Sequence, residues 1–239
     1  MIKLIKAADR HLSTPADWLR SYFLFSFADY YDPQNMHFGP LRVFNDDYIA
    51  PQSGFPAHPH HEMEIVTIVL EGEITHTDSI GNDKKIKAGE VQRMTAGTGI
   101  THSEMNKTDK ELHLYQLWIF PNKKGLKPSY EQKKIDFLDT KNELIPLATG
   151  QKVLEDVIYL NSNSTIYFAN LEEGKEINFH TYDIRSTFIY LKEGEVYVNG
   201  MQTDKNDQLR CEKLEVLNIK ATKDSSFILI DLPAVEANY

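Results

Sequence analysis

Two stretches of this 239-residue chain repeat each other: Leu70-Glu71-Gly72-Glu73-Ile74 and, 122 positions on, Lys192-Glu193-Gly194-Glu195-Val196. Each copy follows an apolar run (66–70 and 188–191) and leads into a further strand-like stretch. Such a chain is expected to fold twice into much the same unit, and the unit is β. Residues 65–70, 73–77, 158–160, 165–170, 187–191, 195–199, 215–219 and 226–232 are short apolar or alternating runs with Gly, Asn or Asp between them. Many short strands with regular turn signals indicate an all-β sandwich or barrel, here two in tandem. Ser79-Ile80-Gly81-Asn82-Asp83 has the residues of a hairpin tip. Helical signals are few. Thr14 as N-cap and Pro15 in the first turn predict one short helix over 14–18. The polar, Gly/Pro-containing stretch within 121–134 reads as a linker, dividing the chain into domains 1–125 and 126–239.

Composition narrows the function. With a net charge of −9, the chain would be repelled by a nucleic-acid backbone or an anionic membrane surface. The pairs Lys84-Lys85, Lys123-Lys124 and Lys133-Lys134 are too small to reverse this and read as solvated loop residues. No apolar run approaches the roughly 20 residues that span a bilayer. Residues 1–6 lack the apolar core of a signal peptide. The expectation is a cytoplasmic protein with no membrane and no direct nucleic-acid partner. A single cysteine, Cys211, rules out an intrachain disulfide. It lies in an alternating stretch and reads as a half-buried, inert thiol.

The chemistry lies in His58-Pro59-His60 and His102-Ser103-Glu104. Each is a pair of metal-ligand side chains at i, i+2, and on a strand such a pair shares one face. Two such strands can close around one ion. Three imidazoles and a carboxylate suit a divalent transition metal that keeps room for small molecules. Pro59 predicts that the first pair sits at the start of a strand, near a barrel mouth. His61 has the opposite parity and should point away. The same parity puts Glu62 and Glu64 on the face of His58 and His60, so two readings stand. Either Glu64 is a ligand with Glu104 behind it, or Glu104 is the ligand and Glu64 lies elsewhere. Spacing does not separate them. His11, His37, His76 and His113 lack partners of this kind and read as structural, with His113 the nearest to a supporting role. Gly97 and Gly99 permit a tight turn that sets the approach of His102. With no Lys-Ser/Thr and no helix start, this is not a phosphate loop. Carried upstream, the repeat places His180 at the position of His58, Tyr182 at His60 and Ser186 at Glu64. The second domain therefore keeps one ligand and is expected to lack the metal. Met94, Ile100, Leu114 and Leu117 read first as barrel core and only second as pocket wall.

Taken together, several motifs resemble the pirin family of the cupin superfamily. They are His58-Pro59-His60, Glu64, Leu70-Glu71-Gly72, Asp78-Ser79-Ile80-Gly81-Asn82 and the run from Thr95 to Glu104. The resemblance begins at Ser26-Phe27-Ala28-Asp29-Tyr30-Tyr31-Asp32-Pro33 and at Leu41 to Asp47, and continues through His113 to Trp118 and Tyr130-Glu131-Gln132. It is close over roughly the first 135 residues and most like the short bacterial pirin-like quercetinases. It implies a bicupin of two double-stranded β-helix barrels, the first binding one divalent transition metal and the second metal-free. It implies His58, His60, His102 and Glu104 as ligands, with iron the first choice of ion and manganese, cobalt, nickel, copper or zinc the alternatives. It also implies a dioxygenase that opens the ring of quercetin-like flavonols with O2 and releases carbon monoxide. There Glu104, or Glu64 beside it, would take the proton of the substrate's 3-hydroxyl. The alternative implied by animal pirins is a metal-containing regulatory protein without turnover, acting through a protein partner.

Overall fold

The repeated Glu-Gly step is a left-handed turn in both halves, with φ of 84° at Gly72 and 85° at Gly194. A Cβ at Gly194 would lie 2.3 Å from the Asp224 carbonyl oxygen, so a side chain there is excluded twice over. Around these turns the computed structural model describes residues 1–151 and 156–234. The first twelve strands are β1 (Ile2–Ile5), β2 (His11–Ala16), β3 (Leu19–Phe23), β4 (Leu41–Ile49), β5 (Ser53–His60), β6 (Glu64–Glu71), β7 (Glu73–Asp78), β8 (Asp83–Lys87), β9 (Glu90–Thr95), β10 (Ile100–Asn106), β11 (Leu112–Ile119) and β12 (Ser129–Lys134). The remainder are β13 (Ile145–Thr149), β14 (Ile158–Tyr159), β15 (Thr165–Leu171), β16 (Glu176–His180), β17 (Arg185–Glu193), β18 (Glu195–Val198), β19 (Met201–Asp204), β20 (Gln208–Glu212), β21 (Val216–Ala221) and β22 (Ser225–Pro233). Among the described residues the one helical element is a 3-10 turn, Ala7–Asp9, so the all-β expectation holds.

The strands form two barrels, each of a large and a small sheet. The first has the orders β12-β9-β6-β11-β4-β3-β2 and β5-β10-β7-β8. The second has β1-β20-β17-β22-β15-β13-β14 and β16-β21-β18-β19. The orders correspond position by position, so the repeat extends over whole barrels. The correspondence also exposes an exchange. β1, from the start of the chain, fills the edge of the second barrel that β12 fills in the first.

Three expectations are corrected. Residues 14–18 hold no helix: β2 runs through Ala16 as the outermost strand of its sheet. Pro15 falls where the pairing with β3 shifts register between Ser13 and Ala16, so its missing N–H interrupts no regular ladder. The stretch read as linker contributes β12, which pairs with β9 along its whole length. His58 and His60 lie at the end of β5, not at its start. Proline is tolerated there because β5 is the edge of its sheet.

Alternation along β6 shows how the two faces of a strand are used. Val66, Ile68 and Leu70 point out of the first barrel into the largest core of the molecule, with Phe44, Tyr115, Phe168, Phe188 and Ile230. Ile65 and Val69 face inward, into smaller apolar clusters. Met94 and Ile100 pack with Ile65, Leu114 with Val69, and Leu117 between the barrels, so all four are core. The largest core therefore joins the two large sheets. A buried polar cluster lies on the same side. Asp46 accepts the Tyr190 hydroxyl at 2.7 Å, sits 2.7 Å from His113 Nε2 and 3.5 Å from Arg10. His113 thus serves the junction of the barrels. Cys211 packs in the interior of the second barrel, where burial pushes its thiol up to about 12.

Candidate metal centre

β5 and β10 are antiparallel neighbours with His58 opposite His102. The period of two then brings His60 to the same face, and the ligand nitrogens of His58, His60 and His102 lie within 4.8 Å of one another. Ring centroids are 4.5 Å apart for His58 and His102, 4.8 Å for His58 and His60 and 4.9 Å for His60 and His102. Ile100, where β10 begins, follows Gly97 (φ 48°) and Gly99 (φ 136°). A Cβ at Gly97 would lie 2.0 Å from the Leu126 carbonyl oxygen, so the turn that aims β10 needs glycine there.

Second nitrogens are engaged in a way that frees the first. His58 Nδ1 lies 2.7 Å from the Pro56 carbonyl oxygen, which requires Nδ1–H and leaves Nε2 as the donor to a metal. His58 Nε2 faces His102 Nε2 at 3.1 Å. On its other side His102 Nδ1 is 3.4 Å from His76 Nδ1, and His76 Nε2 is 3.0 Å from Asp78 Oδ2. One proton order satisfies the row. His76 donates to Asp78, and His102 donates to His76. His102 Nε2 is then free for an ion. Burial alone would raise the Asp78 carboxyl, but hydrogen bonds from His76 and Asn82 outweigh it and hold it below the usual range. Burial, reinforced by repulsion among the histidines, lowers His102 to about 3 and His60 to about 4, so both are neutral at neutral pH. Neutral imidazoles are the form that binds metal.

Glu104, also on β10, is 1% exposed and groups with His102 and His76 within 4.8 Å. Its Oε1 accepts Gln92 Nε2 at 3.0 Å and Thr67 Oγ1 at 3.4 Å, and its Oε2 accepts Gln116 Nε2 at 2.7 Å. Three donors fix the orientation of this carboxylate. Glu64 is elsewhere. Glu62 takes a left-handed φ of 49°, which breaks the parity between β5 and β6. Glu64 therefore falls on the outer face of β6, where its Oε2 accepts Asn161 N at 3.1 Å. Burial raises its carboxyl. His61 is exposed beside Gly99.

The residues present fit a divalent transition metal by their donor chemistry: three imidazoles and one anchored carboxylate. The second barrel shows by contrast how much of this is specific. Register places Ile189, Leu209 and Leu229 where the first barrel has Thr67, Gln92 and Gln116. Val198 and Ile219 stand for His76 and Glu104, and Val216 pairs with His180 as His102 pairs with His58. Sequence reading left out His76 with Asp78, Thr67, Gln92 and Gln116. Only His76 and Asp78 carried a signal, being themselves a ligand-type pair at i, i+2.

A cavity of about 470 Å³ opens onto the histidines. His58, His60 and Glu104 form one part of its lining, and Phe23, Phe27, Phe55 and Trp118 supply aromatic walls. The Trp118 ring stands edge-on to His60 at 4.8 Å. Ser21, Asn45 and Asp47 line it too. Burial carries the Asp47 carboxyl up to about 7 against the lowering effect of a hydrogen bond from Ser21.

The pirin model matches residues 6–119, and the model described as quercetinase C-terminal cupin domain matches residues 149–232. The chain is 40% identical over 237 residues to the quercetin 2,3-dioxygenase of Escherichia coli, covering 98% of this chain and all of that one. This chain belongs to the pirin family. A pirin-like protein of Caulobacter vibrioides is 38% identical over 214 residues, covering 90% of this chain and 92% of its own. The crystal structure of the Escherichia coli pirin YhhW in complex with nickel(II) matches with a TM-score of 0.92 at 38% identity, over 98% of this pirin and all of that chain. The bicupin architecture is thus shown by family, topology and structural match together. No helix among the described residues is long and apolar enough to cross a membrane.

Proposed function

We propose that this pirin is a metal-dependent dioxygenase that opens the central ring of quercetin-like flavonols with O2, yielding carbon monoxide and a carboxylic ester. The observation that carries the reading is the grouping of His58, His60 and His102, with Glu104 beside His102, at an aromatic-walled cavity of about 470 Å³. That volume suits a flat, drug-sized ligand. The 40% identity to the Escherichia coli quercetin 2,3-dioxygenase supports it. The proposed ligands are His58, His60, His102 and Glu104. A divalent transition ion held there supplies Lewis acidity towards a substrate hydroxyl oxygen. Nickel(II), bound by the Escherichia coli pirin, belongs among the ions to test beside iron.

The chain's own groups orient and exclude. Phe27, Phe55 and Trp118 present faces and edges to a planar ring system and keep water from it. Glu104 is the carboxylate of the donor set that lines the cavity and is the proposed acceptor of the hydroxyl proton. Gln116, Gln92 and Thr67 fix its position by hydrogen bonds to both oxygens. Glu64, turned towards Asn161, takes no part.

Carbon monoxide release from quercetin, measured for protein reconstituted with each divalent metal in turn, tests the proposal. His60→Ala serves as the blank. Metal-dependent release absent from the blank is expected. Loaded protein that releases none with any ion would overturn the reading and favour a pirin acting without turnover.

A further inference from the structure

The strand β4 presents Asn45 and Asp47 to the cavity, two residues apart and on one face. Both are nearly inaccessible, at 3% and 2% exposure. Asp47 has one side-chain hydrogen bond, from Ser21 across the β3–β4 ladder. Asn45 is next to Gln116 in register, and its Oδ1 is buried without a partner. Buried polar groups left this short of partners are rare and need a reason. The fold supplies none. The register-equivalent positions of the second barrel are Tyr167 and Ala169, and Ala169 sits in the aliphatic core. Polarity at these two positions is therefore a property of the barrel that has the cavity.

Their place along the strand sets what they can meet. Asn45 shares a row with Gln116, whose amide holds Glu104. Asp47 is in the next row, beside Ser21 and Leu114, about 7 Å further along the strand. A flat ligand placed with one oxygen at the histidines and its rings among Phe27, Phe55 and Trp118 would carry its far ring towards Asp47, since all of these line one cavity. We infer that Asp47, oriented by Ser21 and accompanied by Asn45, determines specificity by accepting a hydrogen bond from a phenolic hydroxyl on the ring remote from the metal. The substrate class is then a planar polyphenol hydroxylated at both ends. A flavonol with a bare outer ring leaves a buried carboxyl unpaired and is discriminated against.

This inference rests on the dioxygenase reading for its substrate, and the test separates the two. Quercetin is compared with galangin, the flavonol that differs only in lacking the hydroxyls of the pendant phenyl ring. Binding is followed by quenching of tryptophan fluorescence, since Trp118 lines the cavity, and turnover by carbon monoxide release. At pH 8, above the value of about 7 to which burial carries the Asp47 carboxyl, the wild type should prefer quercetin roughly ten- to hundredfold in Kd and in KM, the worth of one hydrogen bond to a charged group. Asp47→Asn and Ser21→Ala should shrink that ratio to about threefold or less, with metal content unchanged. Using two variants guards against one that fails to fold. Equal affinity of the wild type for both flavonols, or a ratio that survives both substitutions, would overturn the role of Asp47 while leaving the dioxygenase standing. Discrimination that depends on Asp47 in a protein releasing no carbon monoxide would sustain the Asp47 subsite and overturn the dioxygenase.

Discussion

His76 works through another residue. Wholly buried, it holds His102 by one nitrogen and Asp78 by the other, which fixes both the tautomer and the tilt of the His102 ring. His76→Ala should therefore weaken metal affinity roughly ten- to hundredfold, the usual effect of losing such a support, in competition with a chromophoric chelator. Glu64→Gln is the matched control and should leave affinity unchanged, because its carboxylate meets Asn161 on the outer face. Unaltered affinity in His76→Ala, or a loss in Glu64→Gln, would reverse the assignment. The legibility of the site follows from the same geometry. The grouping of His58, His60 and His102 was legible in the sequence because a strand has period two, whereas the choice of Glu104 over Glu64 came only from the family resemblance. Glu64 defeated that rule because parity survives only while the chain stays extended, and Glu62 leaves the extended region. Gln92, Gln116 and Thr67 could not be found at all. They meet Glu104 only because three distant strands lie side by side.

At the level of elements, strands with apolar alternation were legible and edges were not. β6, β15, β17 and β22 are buried along nearly their whole length and announce themselves by β-branched and apolar runs. β2 and β12 are edge strands whose sequences are polar or proline-bearing, since one side of an edge makes no ladder. Hence a helix was expected at one and a linker at the other. β1 is the opposite kind of edge, with Ile2 and Leu4 packed against the core of the second barrel. Leu4→Asp should cost about 1 kcal/mol, part of the burial value of a leucine, and lower Tm by roughly 2–4 °C in thermal unfolding. Metal content at 25 °C should not change, because β1 belongs to the barrel without the histidine cluster. Metal loss from the folded variant would contradict that separation.

Across the whole molecule, the largest core belongs to neither barrel alone. Phe188 of the second stacks near Phe25 and Phe44 of the first, at 5.9 and 5.7 Å between centroids. The barrels should therefore unfold together. Both tryptophans, Trp18 and Trp118, report on the first barrel, while circular dichroism reports on both. The two signals should melt at one temperature, and metal at about a hundred times its Kd should raise both by roughly 5–10 °C, the effect of about 2.7 kcal/mol of linkage. Separate transitions, with only the tryptophan signal responding to metal, would show that the shared core does not couple them. The exchange of edge strands has a consequence in time as well. On a ribosome β12 follows β9 with only β10 and β11 between them and can complete the first barrel as soon as it emerges. β1 is made long before its partner, Gln208–Glu212. Until β20 emerges, β1 waits with an open backbone edge. Its docking ties the two barrels together across nearly the whole described sequence and comes after the first barrel has been made.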